Sequence, residues 1–243
     1  MRLTRVHVHG PLASGRQCTV EGDAARHIAR VLRLVVGNTV TLFDGGGGEY
    51  AGRIESIGKN TVTVAVGERH TPDRESPLSL TLAQGVSRGE RMDWVVQKAT
   101  ELGVSRLVPV LTERTVVRLD PRQASSKQRH WQGIAVAACE QSGRDRVPEV
   151  ALPVALPEFL HHLMPGGTRL LLSPEGSSAL EHLAPPEGAL TVLIGPEGGL
   201  TEAEQRAARD RGFQGLCLGP RVLRTETAAV AALALLQHRF GDL

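Results

Sequence analysis

Two short glycine-bearing stretches near the carboxyl end of the 243-residue chain carry the residue types best suited to binding chemistry. The first, Gly195-Pro-Glu-Gly-Gly199, follows the apolar run Leu190-Thr-Val-Leu-Ile194. The second, Gly219-Pro-Arg-Val-Leu-Arg224, follows Leu216-Cys-Leu218 and leads into Thr225-Glu-Thr227. Each reads as strand, loop, helix, and two such loops side by side at the carboxyl ends of strands make a ligand site. A glycine loop before a helix is a common phosphate cradle, because free N–H groups and the helix dipole both favour an anion. Here Glu197 lies in the loop and Glu202 and Glu204 occupy the first turn beyond it, so a phosphate would be repelled. Neither a Walker lysine nor a G-x-G-x-x-G fingerprint is present. A neutral or cationic ligand with hydroxyls and amines to donate fits better. Taken alone, the first loop reads as a tight turn; the second, with Arg221, Arg224 and Glu226 among apolar neighbours, favours a site.

At these residues the chain resembles the RsmE family of RNA methyltransferases, which belongs to the SPOUT class. The resemblance rests on Ile194-Gly-Pro-Glu-Gly-Gly199 and Leu218-Gly-Pro-Arg-Val-Leu-Arg-Thr-Glu-Thr-Ala228. It extends through Gln97-Lys-Ala-Thr-Glu-Leu-Gly-Val104, Ala137-Ala-Cys-Glu-Gln-Ser-Gly-Arg144 and His27 to Arg33, and so covers nearly the whole chain. It implies an α/β protein whose carboxyl-terminal SPOUT domain carries a parallel sheet and a deep trefoil knot around S-adenosyl-L-methionine. A small amino-terminal β-barrel of the PUA or OB type would precede it. The implied reaction is methylation of N3 of a uridine in 16S ribosomal RNA of the small subunit, by a homodimer. Two other activities stand beside it: a different SPOUT reaction, such as 2′-O-ribose methylation, and a non-catalytic RNA-binding chaperone.

Carried over residue by residue, the resemblance implies cofactor contacts from Leu172, Ile194, Gly195, Glu197, Gly198, Leu218, Gly219, Val222 and Leu223. Main-chain groups would hold the adenine, Leu218 and Leu223 would wall the ring, and Glu197 would accept from ribose hydroxyls. Gly195 is expected where backbone meets ligand. Methyl transfer needs little covalent machinery, because the sulfonium is already activated; orientation is the main contribution. The N3 proton must also leave, and a cation near the base oxygens would stabilise the negative charge that results. Arg224 is the candidate for that role, with Glu226 as proton acceptor or as the group that orients Arg224. A structural ion pair at the start of the last helix, where Glu226 also favours the dipole, is the competing reading. For RNA the candidates are Arg5, His27, Arg33, Arg91, Lys98, Arg114 and Arg144.

The elements that must position these residues can be read from periodicity. Residues 1–70 alternate as short strands, over 2–9, 17–20, 39–43, 50–57 and 61–66, around one helix. That helix should start at Asp23 as N-cap and bury Ala25, Ile28, Ala29 and Leu32. Arg26, His27, Arg30 and Arg33 fall on its other side, a ridge able to neutralise phosphates. Residues 71–77, polar with two prolines, read as the linker, and residues 78–243 as the methyltransferase domain. From Leu78 onward strands and helices alternate, as in a parallel-sheet α/β fold. Helices are expected over 91–102, 127–142 and 157–164, strands over 78–83, 107–111, 147–152 and 168–172, and a third loop at Ser173-Pro-Glu-Gly176. Thr201 with Glu204 forms a capping box. Trp131 falls on an apolar stripe and reads as core. Five alanines in the last helix, among them Ala228, Ala231 and Ala234, permit close backbone approach.

Composition sets the class. With 41% hydrophobic and 22% charged residues the chain is of ordinary globular make-up. Cys18, Cys139 and Cys217 are odd in number and far apart, against a disulfide framework or clustered zinc ligands. His161 and His162 lack a partner at metal-ligand spacing, so no metal is expected. The opening Met1-Arg-Leu-Thr-Arg-Val-His7 has no apolar signal core and nothing reads as a membrane span, which together point to the cytoplasm. Residues 1–146 hold 21 Lys and Arg against 15 Asp and Glu, while residues 147–243 hold 7 against 11. The basic surface thus lies away from the two loops, as for a nucleic-acid-facing half beside a cofactor half. Aromatics are only 3% of the chain, which argues against RNA recognition by stacking.

Overall fold

The computed structural model describes residues 4–174 and 178–243, with Ser178 described by its backbone alone. Arg2 and Leu3 of the expected first strand, and Glu175 and Gly176 of the expected third loop, lie outside the described residues. Contacts divide the chain into two compact units. One comprises residues up to Glu75 together with Cys139–Val147; the other comprises Ser76–Ala138 and Pro148–Leu243. The segment 139–147 thus packs with the first unit although it lies well beyond residue 78 in sequence. Its attachment to the first unit is polar: the Arg144 guanidinium donates to Glu75 Oε2 at 2.7 and 3.0 Å, and the Asp145 and Arg146 N–H groups donate to Glu75 Oε1 at 3.1 Å. Hydrophobic periodicity carries no trace of such an exchange.

In the first unit, β1 (Arg5–His7), β2 (Gln17–Glu21), β3 (Thr39–Phe43), β4 (Glu49–Ile57) and β5 (Thr61–His70) form one sheet in the order β1-β3-β4-β5-β2. Only the β1–β3 pair is parallel. Period-two alternation turns Tyr50 and Ile54 of β4 and Val62, Val64 and Val66 of β5 toward a core shared with Val6, Val20, Ile28, Val40 and Leu42. Gly52 sits among them because a β-carbon there would lie 2.8 Å from Val64 Cγ1 and 3.0 Å from Val40 Cγ2. The helix differs from expectation. Its N-cap position lies two residues earlier, at Glu21 with no side-chain cap, so that α1 spans Gly22–Arg26 and Asp23 pairs with Arg26 instead. It then widens into a π-turn over His27–Val31, marked by the Leu32 N–H donating to the His27 carbonyl at 2.9 Å. Ala25 and Ile28 are buried as expected, but the wider turn swings Leu32 outward, leaving Val31, Leu32, Val35 and Val36 exposed.

The second unit is an α/β layer structure. The strands β6 (Leu80–Gly85), β7 (Arg106–Leu111), β8 (Glu149–Val150), β9 (Val154–Ala155), β10 (Thr168–Leu172), β11 (Ser178–Ala179), β12 (Leu190–Ile194) and β13 (Gln214–Cys217) pair in parallel throughout. Their order is β11-β13-β10-β12-β6-β7-β8, with β9 also on β7. In the register Leu170↔Val192↔Leu82↔Leu107 a row of side chains crosses four strands. Both faces are covered, so the strands read as continuous apolar runs. Leu80, Leu82, Leu107, Leu170, Val192 and Leu216 face one core, with helices α2 (Arg91–Glu101), α3 (Pro121–Ser142) and α6 (Thr225–Phe240) contributing Val95, Trp131, Ala229 and Leu233. Ala83, Val108, Leu171 and Leu193 face the other, with Leu160 of α4 (Leu156–His161) and Ala208 of α5 (Glu202–Asp210).

Local chemistry explains most boundaries. The capping box on α5 is complete, and Glu204 Oε1 also accepts the Glu113 N–H at 2.8 Å. Helix α3 begins six residues before the expected start, because Asp120 and Gln123 exchange side-chain to backbone hydrogen bonds at 2.8 and 3.1 Å. Trp131 is core, as read, with its indole N–H on Asp93 at 3.0 Å. The expected strand over 147–152 is reduced to the two-residue β8, and the short β9 follows beyond it. No helix among the described residues is long and apolar enough to cross a membrane.

Candidate active site

The carboxyl ends of β10, β12 and β13 open onto a cleft of about 580 Å³. Its walls are Leu171 to Pro174 after β10, Ile194 to Glu197 with Gly199 and Leu200 after β12, and Leu218, Gly219 and Arg221 to Glu226 between β13 and α6. Arg91, Gln205 and Ala228 complete it. The volume and the mixture of aliphatic walls with a few polar groups are those of a small-molecule site. The two glycine loops do lie side by side.

Of the residues expected to contact a cofactor, Leu172, Ile194, Gly195, Glu197, Leu218, Gly219, Val222 and Leu223 line this cleft. Val222 does so from the rim, 82% exposed. Gly198 is not among the lining residues. It packs on Arg114, whose Nη1 donates to the Gly198 carbonyl at 2.9 Å and whose Cβ would lie 3.0 Å from any added β-carbon. Gly195 also has a packing reason to lack a side chain: a β-carbon there would press on the backbone of Gly199 and Leu200 at 3.1 Å.

The charged groups are arranged differently from expectation. Arg91, nominated for RNA, lies in the cleft wall, with Nη1 2.7 Å from Glu197 Oε1 and Nε 3.9 Å from Glu226 Oε1. Glu197 Oε1 also accepts the Arg88 N–H at 3.0 Å, so only its other oxygen remains for a ligand. Burial acts to raise the Glu197 pKa. Hydrogen bonds from its own N–H, from the Arg88 N–H and from Arg91 outweigh that, and it lies below the ordinary carboxylate range. The partner of Glu226 is thus Arg91 rather than Arg224. Glu226 Oε2 is buried with no hydrogen-bond partner among the described residues. Arg224 supplies the N-cap backbone of α6, and its exposed guanidinium has no partner among the described residues.

The RNA candidates separate into two groups. His27 and Arg33 stand exposed in the first unit, Arg33 at φ +52°, the one non-glycine residue with positive φ among those described. Arg114 is exposed in the second unit, and Lys98 is half-buried against Glu101 at 2.9 Å. Arg5 and Arg144 do not face solvent. The Arg5 side chain is 7% exposed, paired with Glu49, bonded to the Arg144 carbonyl at 3.0 Å and stacked 4.8 Å over the Phe43 ring. Arg144 is 5% exposed on Glu75. Both are interior ion pairs of the first unit: a buried guanidinium must find a carboxylate, and one so held cannot also meet phosphate.

Sequence reasoning missed Gln84 and gave Thr225 no role. Gln84, fully buried near the end of β6, donates through Nε2 to Thr225 Oγ1 at 2.9 Å, and that hydroxyl donates to the Gly195 carbonyl at 2.7 Å. A glutamine ending an otherwise apolar strand was the available signal.

A family model described as an RNA methyltransferase domain matches residues 74–237, and one described as an RNA methyltransferase PUA domain matches residues 20–67. The ribosomal RNA small subunit methyltransferase E of Bacillus subtilis is 32% identical over 91% of this chain and 90% of its own length. This chain belongs to the ribosomal RNA small subunit methyltransferase E family. Among solved structures, the family member from Neisseria gonorrhoeae bound to S-adenosyl methionine superposes with a TM-score of 0.93 at 38% identity, covering both chains completely. A Legionella pneumophila protein solved with the cofactor SAM gives 0.95 at 39% identity, again over both whole chains.

Proposed function

We propose that this protein transfers a methyl group from S-adenosyl-L-methionine to N3 of a uridine in 16S ribosomal RNA of the small subunit. The observation that carries the reading is the cleft, in a chain whose family and structural relatives are methyltransferases of that RNA. The cofactor fits it on two counts. Leu172, Ile194, Leu218 and Leu223 offer an aliphatic slot for an adenine, and Glu197 and Glu226 offer carboxylates to ribose hydroxyls and a cationic sulfonium without a phosphate to repel. When bound, the cofactor supplies an activated methyl group.

What the chain itself must do is orient the base and manage one proton. Arg224, unpaired at the mouth, is placed to meet the base oxygens as N3 loses its proton, where a preorganised cation stabilises the charge that develops. Glu226 Oε2, unpartnered, is the acceptor for that proton, while Arg91 holds the other oxygen's side. The exposed His27 and Arg33 serve RNA phosphates, assisted by Arg114.

The proposal includes a threaded tail, a homodimer and cytoplasmic action. The strand order supports threading. The chain leaves β13 on one side of β10, then starts α6 against the ends of β12 and β6 on the other side. Ala229 and Ala232 are spent on packing within the unit, while Leu235, 38% exposed, is available to a partner copy. Incubation with unmodified small subunits and labelled cofactor, followed by nucleoside digestion and mass spectrometry, tests the reaction. N3-methyluridine supports it, and ribose-methylated nucleoside would replace it with a different transfer.

A further inference from the structure

The hydroxyl of Thr225 joins the start of α6 to two neighbouring strand ends, those of β6 and β12, which are already paired with each other. It donates to the Gly195 carbonyl of the β12 loop at 2.7 Å and accepts from Gln84 Nε2 of β6 at 2.9 Å, while its own backbone begins α6. The direction is fixed by chemistry. The single hydroxyl proton goes to the carbonyl, which can only accept, so the Gln84 amide must present its NH2 group. The same amide donates to the Gly85 carbonyl at 3.1 Å, and its Oε1 is left buried with no partner among the described residues. A buried amide oxygen without a partner is costly, and the fold tolerates it at the spot where β6, the first loop and the second loop converge.

Resting on the methyl-transfer reading above, we propose that Thr225 and Gln84 are positioning residues of the reaction. Thr225 lies between Arg224 and Glu226 in sequence, so its tether to Gly195 sets where the base-facing cation and the proton acceptor stand relative to the first loop. Backbone closeness reinforces the tether: a β-carbon on Gly85 would overlap Pro196 N and lie 2.7 Å from Gly195 C. The two loops are thus locked in register by one hydroxyl relay, and a displacement of about an ångström at reacting groups costs on the order of a hundred-fold in rate.

The test compares Thr225→Val, Thr225→Ser and Gln84→Leu in the full-length protein by methyl transfer to unmodified small subunits, cofactor calorimetry and thermal unfolding. Thr225→Val keeps the shape and removes the hydroxyl; kcat should fall about ten-fold or more, with cofactor Kd changed less than kcat. Thr225→Ser should return kcat to within about two-fold of the wild type, and Gln84→Leu should move kcat in the same direction as Thr225→Val by a smaller factor. The proposal is overturned if Thr225→Val keeps wild-type kcat, or if Thr225→Ser is as impaired as Thr225→Val, which would make packing rather than the hydroxyl the cause. Should Thr225→Val not fold, the Gln84→Leu kcat and the serine rescue decide alone. A wild-type protein that binds no cofactor or transfers no methyl group fails the methyl-transfer reading instead, and is read before any variant.

Discussion

Arg91 holds one carboxylate directly and leans toward a second, so among the described residues both carboxylates of the cleft have a cationic neighbour, while Arg221 and Arg224 have none of the opposite sign. That asymmetry separates roles at the residue scale. Glu226→Gln keeps the shape and removes the proton acceptor. We expect kcat to drop by about a hundred-fold with cofactor affinity within a few-fold, read by single-turnover kinetics and calorimetry. If Glu226 only orients, through Arg91, the loss will appear in affinity instead. Glu197, whose pKa is lowered, binds fewer protons folded than unfolded near that pH. Its contribution to stability is present above the ordinary value of 4.5 and is lost as pH falls through the lower folded value. Acid unfolding of Glu197→Gln should accordingly be less steep below about pH 4.5 than that of the wild type. The buried arginines make the sharpest contrast. Arg144→Ala should cost about 3 kcal/mol in denaturant unfolding by leaving Glu75 unpaired. Arg33→Glu should leave stability and cofactor affinity intact while weakening RNA binding, and an equal loss of cofactor affinity would refute the assignment of RNA to that ridge.

At the scale of elements, what could be read from sequence was what is local. The Thr201–Glu204 box, the β12 run and the start of α2 at Arg91 follow from neighbours within a turn, and the structure has them there. What could not be read was set by partners far along the chain. Arg5 and Arg144 carry the composition of an RNA surface, yet Glu49 and Glu75 take them inside. Gly198 shares a motif with Gly195 but packs on Arg114. The π-turn at His27–Val31 has no periodic signature that distinguishes it from a regular helix. Two substitutions test elements directly. Thr201→Ala removes the cap of α5 and should cost about 1 kcal/mol, with little effect on catalysis. Gly85→Ala drives a β-carbon into the Pro196 backbone, so it should both lower the unfolding midpoint and abolish cofactor binding by parting β6 from the first loop. Retained binding in Gly85→Ala would mean that the loop can shift without harm, against the relay described above.

At the scale of the whole molecule, the chain's family is shown by matches across both its parts, and the charge asymmetry seen in the sequence does not follow the two units, because most of the Lys and Arg excess of residues 1–146 lies in 76–138 of the second unit. The cleft proposed for the cofactor belongs wholly to the second unit, while the exposed His27, Arg30 and Arg33 belong to the first. Such a division makes RNA affinity salt-dependent and cofactor affinity nearly independent of salt. Raising ionic strength should therefore increase KM for RNA steeply while the cofactor Kd holds. The most direct measurement of the central claim is the product of the reaction itself. Small subunits lacking the modification are incubated with the protein and labelled S-adenosyl-L-methionine, and the digested nucleosides are identified by mass. The expected result is one N3-methyluridine per subunit, lost in Glu226→Gln. Cofactor binding with no methyl transfer, or label on ribose, would contradict it.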